Sequence, residues 1–147
     1  MFIIYSGIMI VLLFDRNVHY STSYTEELLR RMNFEVFATI KQYSNLLASN
    51  SNEQLIRLAF VNLAGNIVTF IPLGIFLPII FKKQRNFILF FISCFLIISS
   101  IETAQLLTLR GIMDIDDLIL NLIGVIVGYL FYLFLKLFIK TPHKHKS

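Results

Sequence analysis

Apolar residues fall along this chain in long blocks broken by short charged stretches. Three blocks are long enough to cross a bilayer as a helix: Leu58–Phe81, Phe87–Leu109 and Leu118–Ile139. A crossing takes roughly 20 residues at 1.5 Å rise each. A fourth block, Phe2–Phe14, covers only about 20 Å of the ~30 Å hydrocarbon core. It reads as a short span extended by Asn17 and Val18 to Tyr20, or as a span that starts upstream of Met1. A cleaved signal peptide fits less well, because no basic region precedes the block and no small-residue cleavage site follows it. Between the first two blocks Val36, Ile40, Tyr43 and Leu47 recur at helical spacing, with Glu35, Lys41 and Gln42 off that face. They predict a helix that either lies in the membrane interface or packs over the bundle. Asn50-Ser51-Asn52 reads as a break, with Ser51 or Asn52 capping the next helix.

The fold class expected is all-α: a polytopic transmembrane bundle of four spans, the first one short, with an outer interfacial helix. Spans of about 2–20, 58–81, 87–109 and 118–139 make one membrane domain, 1–140. A basic tail, 141–147, follows it.

Charge gives this bundle a direction. Lys82, Lys83 and Arg85 lie between the second and third spans, and Lys136, Lys140, Lys144 and Lys146 lie at the C-terminal end, with no acid among them. Asp15, Glu26, Glu27, Glu35, Glu53, Asp114, Asp116 and Asp117 all lie in or beside the other two loops. Basic residues are retained on the cytoplasmic side. The expectation is a multi-pass membrane protein with both termini cytoplasmic and the 15–57 and 110–117 loops outside.

Composition agrees. The chain is 56% hydrophobic, only 15% charged, and its mean hydropathy is +0.74, too apolar for a soluble domain of 147 residues. The net charge of +4 comes from residues clustered at membrane ends, so it does not indicate nucleic acid. A single cysteine, Cys94, excludes an internal disulfide and sits in an apolar run as an inert thiol.

The polar residues inside the spans share one depth. Asn62 and Asn66, four apart, lie on one face in the outer turns of the second span. Glu102 lies eight residues before Arg110, roughly 12 Å below the outer end of the third span, and Gln105, three residues on, is expected to share its face. Asn121 is one turn below Asp117 in the fourth. A charge at a helix centre costs about 2.5–3.5 kcal/mol on insertion scales. Glu102 must therefore be protonated, paired or open to a water-filled cavity.

Several features carry two readings. The asparagines serve either as interhelical hydrogen bonds or as ligand contacts. Asp114, Asp116 and Asp117 stand where carboxylates cap helix N–H groups, and also at a spacing that suits a metal or a pyrophosphate-bridging ion. No metal or cofactor is expected in the leading reading. Gly124 and Gly128 form a GxxxG contact, Pro72 and Gly74 loosen the second span, and Gly65 admits a neighbour.

Two stretches resemble the VanZ-like family of bacterial membrane proteins. "NLAGNIVTFIPLGIFLP", residues 62–78, is similar to its second-helix motif. "SIETAQLLTLRGIMDIDDLILNLIGVIVGY", residues 100–129, is similar to its third and fourth helices. A weaker third likeness, "NFEVFATI" at 33–40, has Val36 where the family usually has proline. The first span ends in Phe14-Asp15-Arg16 where a Leu-Pro-Arg-like ending is more familiar. By this resemblance Asn62, Asn66, Glu102, Gln105, Arg110, Asp114, Asp117 and Asn121 occupy the polar motif positions. The family is named for a protein that lowers sensitivity to teicoplanin without remodelling the peptidoglycan target.

The reading is of a protein without catalytic residues whose outer-leaflet pocket binds an amphiphile headgroup. The partner would be a membrane lipid, a lipid-linked cell-wall intermediate or a lipoglycopeptide. The carboxamides would hydrogen-bond it, Arg110 would hold phosphate or carboxylate, and Glu102 would accept from a donor or titrate. The alternative is a membrane enzyme acting on a lipid-linked headgroup, with Glu102 as acid or base. Against it, no span holds a histidine or an activated Ser or Cys constellation; His19, His143 and His145 all lie outside the spans.

Overall fold

The computed structural model describes residues 1–14, 23–48 and 53–138. The chain order is α1 (Phe2–Phe14), α2 (Tyr24–Arg30), β1 (Met32–Asn33), α3 (Ala38–Ala48), α4 (Glu53–Ile80), a 3₁₀ turn (Lys82–Arg85), α5 (Phe87–Leu107), β2 (Met113–Asp114) and α6 (Ile115–Phe138). The Asn50-Ser51-Asn52 break, the Asn17–Tyr20 extension of the first span and the basic tail lie outside the described residues.

α4, α5 and α6 are each long and apolar enough to cross a membrane, and α1 is a shorter apolar helix. Their lengths exceed or fall short of the apolar blocks for local reasons. α4 already includes Glu53, Gln54 and Arg57, polar residues ahead of the apolar block that starts at Leu58. α6 starts at Ile115, because Asp114 Oδ1 accepts the Asp116 N–H at 2.9 Å and so caps the helix. α5 starts where Asn86 Oδ1 accepts the Ile88 and Leu89 N–H groups. It ends in a 6→1 turn: Arg110 N–H returns to the Gln105 carbonyl at 2.9 Å and Leu109 N–H to that of Leu106 at 2.9 Å. Leu109 takes the left-handed position of that turn, with φ of 55°, where glycine is the usual residue. Its side chain is 1% exposed and its carbonyl accepts Arg31 Nη1 at 2.6 Å, so packing and a charged donor hold the strained backbone.

The bundle is built on the α4–α6 pair. A Cβ placed on Gly124 would overlap the Ile67 carbonyl, one on Gly128 would overlap that of Ile71, and one on Gly74 would overlap that of Val125. The two backbones therefore touch. This is the close contact expected of Gly124 and Gly128, with Gly74 added from the opposite helix. Gly65 corrects the expectation made for it: nothing lies within 4 Å of its added Cβ, so it admits no neighbour. Pro72 and Pro78 both lie within one continuous α4.

α5 lies against this pair through Phe90, whose ring centroid is 4.5 Å from that of Tyr129. Phe70, Phe90, Cys94, Ile98 and Val125 form the buried centre. α1 leans on α4 through Phe2 and Tyr5 against Phe76, and the Tyr5 hydroxyl donates to the Thr69 carbonyl at 2.9 Å. Outward-facing Ile3, Val68, Ile92, Leu96 and Leu130 are exposed, as a lipid-facing surface requires. α3, expected from its periodicity, packs against α4. α2 and the two-residue parallel pairing of Met32 with Met113 and Asn33 with Asp114 were not foreseen.

The backbone contact has a measurable consequence. Gly124→Ala and Gly128→Ala should each lower the thermal midpoint in detergent, at an overpacking cost of about 1–3 kcal/mol. Gly65→Ala should be neutral or stabilising by up to about 1 kcal/mol, the helix-propensity gain. Equal midpoints for all three would show that the helix spacing is not set by these glycines.

Candidate functional site

The polar side chains gather at the end of the bundle that carries α3. They form two layers. In the deeper one, α5 and α6 bring Glu102 and Asn121 together: Asn121 Nδ2 donates to Glu102 Oε1 at 3.1 Å. Glu102 is 6% exposed and Asn121 3%. As it stands the carboxamide offers the carboxyl group a donor, and after rotation an acceptor, so Glu102 keeps a partner whether ionised or protonated. In the present arrangement Asn121 Oδ1 is buried without a hydrogen-bond partner. Glu102 also borders a cavity of about 90 Å³ whose other walls are mainly apolar: Phe34, Met113, Ile115 and Leu118, with Ser99 and Asp114.

The upper layer is wetter. A cavity of about 470 Å³ opens between α3, α4 and α6. α4 contributes Asn62 and Asn66, α6 and the strand before it contribute Asp117 and Asp114, α3 contributes Thr39 and Tyr43, and α2 contributes Arg30. Asn66 Nδ2 donates to Asp117 Oδ1 at 2.5 Å, and Asn62 Nδ2 to the Tyr43 hydroxyl at 3.0 Å. Asp114 Oδ2 accepts from Thr39 Oγ1 at 2.5 Å and from Asn33 Nδ2 at 3.2 Å. Asp114 borders both cavities and is the residue that joins the layers.

Of the eight residues singled out from sequence, six therefore meet in these two layers. Gln105 and Arg110 turn the other way. Gln105 Nε2 donates to the Leu13 carbonyl at 2.8 Å, and Arg110 Nη1 donates to that of Phe14. Together they satisfy carbonyls at the C-terminal end of α1, which the helix itself leaves without partners. The reason is rotation. Three residues advance a helix by about 300°, which leaves Gln105 some 60° round from Glu102 and facing α1.

The sequence reading missed how Asp116 works. It is 0% exposed, and its two oxygens accept the N–H groups of Phe37 at 2.6 Å and Ile40 at 3.0 Å. It caps α3, an element more than seventy residues away in the chain. Phe37 sits there with φ of 65°. Arg30, Asn33 and Thr39 were not singled out either; Asn33 and Thr39 had a signal in the 33–40 stretch that resembles the family, and Tyr43 in its place on the apolar face of α3. Alongside, Glu27 pairs with Arg31 at 2.8 Å, Arg31 carbonyl accepts the Met113 N–H at 2.8 Å, and the Tyr24 hydroxyl donates to the Leu107 carbonyl at 2.9 Å. These bonds tie α2 to the turn between α5 and α6. Among the described residues no three His, Cys, Asp or Glu side chains are grouped to hold a metal ion.

The fold and site together define a class: a small helix-bundle membrane protein whose polar groups are confined to one end and covered there by a short helix. The chain belongs to the VanZ/LLP1 family, whose sequence profile matches residues 2–136. No curated protein and no solved structure matches it.

The Asp116 cap can be tested directly. Asp116→Ala leaves two N–H groups without acceptors and should cost about 2–3 kcal/mol, the range for hydrogen bonds to a charged group. Hydrogen exchange across residues 37–48 should then speed up at least tenfold while exchange in the α4–α6 core stays unchanged. Unaltered exchange in that segment would mean α3 is held by something else.

Proposed function

We propose that the polar cavity lies in the extracytoplasmic half of the membrane and receives the headgroup of an amphiphile. What supports this most is the cavity of about 470 Å³ itself, which sets carboxamides, hydroxyls, two carboxylates and one guanidinium at the mouth of a bundle with apolar sides. A ligand with a polar end and an acyl end suits such a place: the headgroup enters between α3 and α4, and the chain lies along the lipid-facing surface. The basic residues of the opposite end, Lys82, Lys83, Arg85 and Lys136, favour the cytoplasm for that side.

The ligand's anionic group falls to Arg30 rather than Arg110. Arg110 is engaged with the end of α1, whereas Arg30 borders the cavity and forms no ion pair among the described residues. Asn62, Asn66 and Tyr43 supply hydrogen bonds to the rest of the headgroup. The ligand class is a membrane lipid, a lipid-linked cell-wall intermediate or a lipoglycopeptide of the teicoplanin type. Sequestering it would serve antibiotic resistance or maintenance of the cell envelope. Glu102 stands apart in a smaller, mostly apolar cavity and pairs with Asn121, which supports binding over acid–base catalysis on a headgroup.

Native mass spectrometry of the purified chain should show a co-purified phosphorylated or carboxylated amphiphile. Arg30→Gln should reduce its retention at least tenfold, and Glu102→Gln should leave it within about twofold. In a teicoplanin-sensitive host at matched protein level, any protection should fall with Arg30→Gln. Retention independent of Arg30 would sink this reading. A chemically altered membrane lipid that disappears with Glu102→Gln would replace it with an enzyme.

A further inference from the structure

At the opposite end of the bundle the 3₁₀ turn, the last turns of α4 and the last turns of α6 enclose a cleft of about 200 Å³. Its walls are Ile79, Arg85, Tyr132, Leu135 and Lys136. Two cations thus face one small space. No acidic side chain is near either of them in sequence: no Asp or Glu occurs between Glu53 and Glu102, or anywhere after Asp117. Neither Arg85 nor Lys136 forms an ion pair among the described residues.

The groups are also held in place. The Tyr129 hydroxyl donates to the Arg85 carbonyl at 2.7 Å, which pins the turn to α6. Arg85 Nε donates to the Pro78 carbonyl at 3.3 Å, which leaves the two terminal nitrogens of the guanidinium for an outside acceptor. Tyr132 is 7% exposed and its hydroxyl has no hydrogen-bond partner among the described residues. Two like charges and an unpartnered hydroxyl converging on a cleft call for an anion with several acceptor oxygens. The apolar walls, Ile79 and Leu135, suit hydrocarbon.

We propose that this cleft binds the phosphate of an anionic phospholipid between Arg85, Lys136 and the Tyr132 hydroxyl, with its acyl chains against Ile79 and Leu135. The site is separate from the polar cavity at the α3 end and does not depend on what that cavity binds. Basic pockets between transmembrane helices at the headgroup level are suited to this task.

The test uses the full chain in neutral detergent, titrated with phosphatidylglycerol or phosphatidylcholine and read by native mass spectrometry. Phosphatidylglycerol should be retained preferentially. Arg85→Gln with Lys136→Gln should lower its affinity about thirtyfold, each basic residue near an anionic surface counting for roughly fivefold. Tyr132→Phe should lower it a few-fold without changing the thermal midpoint. Lys82→Gln with Lys83→Gln, which removes the same charge from side chains of the same turn that do not line the cleft, should leave it nearly unchanged. If that control pair weakens binding as much as the cleft pair, general surface charge explains the preference and the proposal is wrong. If soluble glycerol phosphate competes at concentrations equal to those of the lipid, the site takes free phosphate and the lipid assignment is overturned.

Discussion

The contact between the backbones of α4 and α6 is the constraint on which the rest of the molecule rests. Gly74, Gly124 and Gly128 remove the side chains that would hold the two helices apart. In lipid, burying one more leucine gains little, because the acyl chains outside are as apolar as the protein inside. Packing closeness and hydrogen bonds must do what hydrophobic burial does in water. A seam without Cβ atoms gives the first, and it brings the helix faces near enough for the second.

The hydrogen bonds follow along the same seam. Asn66 reaches Asp117 from α4, and Asn121 reaches Glu102 from α6 to α5. Each places a polar group against another helix rather than against lipid. The arrangement also sorts the end of the bundle into a dry layer around Glu102 and a wet layer around Asp117, with Asp114 at the boundary. The carboxyl group in the dry layer meets the Asn121 carboxamide and mostly apolar cavity walls. Those bordering the wet layer meet polar donors: Thr39 and Asn33 at Asp114, and Asn66 at Asp117.

Much of this was legible in the residues and some was not. Run length placed three spans, because a membrane-crossing helix must be apolar for most of its length. Counting 1.5 Å per residue from each loop put Asn62, Asn66, Glu102 and Asn121 at one end of the bundle and at one depth; the structure keeps them at that end but divides them into two layers. Direction around the helix was harder. Gln105 and Glu102 share a depth but not an azimuth, and only the position of α1 decides which matters. Asp116 looked like its neighbours Asp114 and Asp117, since nothing local says which aspartate turns inward. The end of α5 was hidden for a different reason: its left-handed residue is Leu109, and a leucine gives no sign of that conformation. α2 and the short strand pair depend on contacts between loops far apart in the chain, where periodicity carries no information.

The Asp116 cap bears on the order in which the molecule assembles. Phe37 and Ile40 leave the ribosome long before Asp116, with all of α4 and α5 still to come between them. The covering helix therefore waits, its first amides solvated, until the closing hairpin has been inserted. The bonds from Asp116 to the start of that helix can close only once the final crossing has been made.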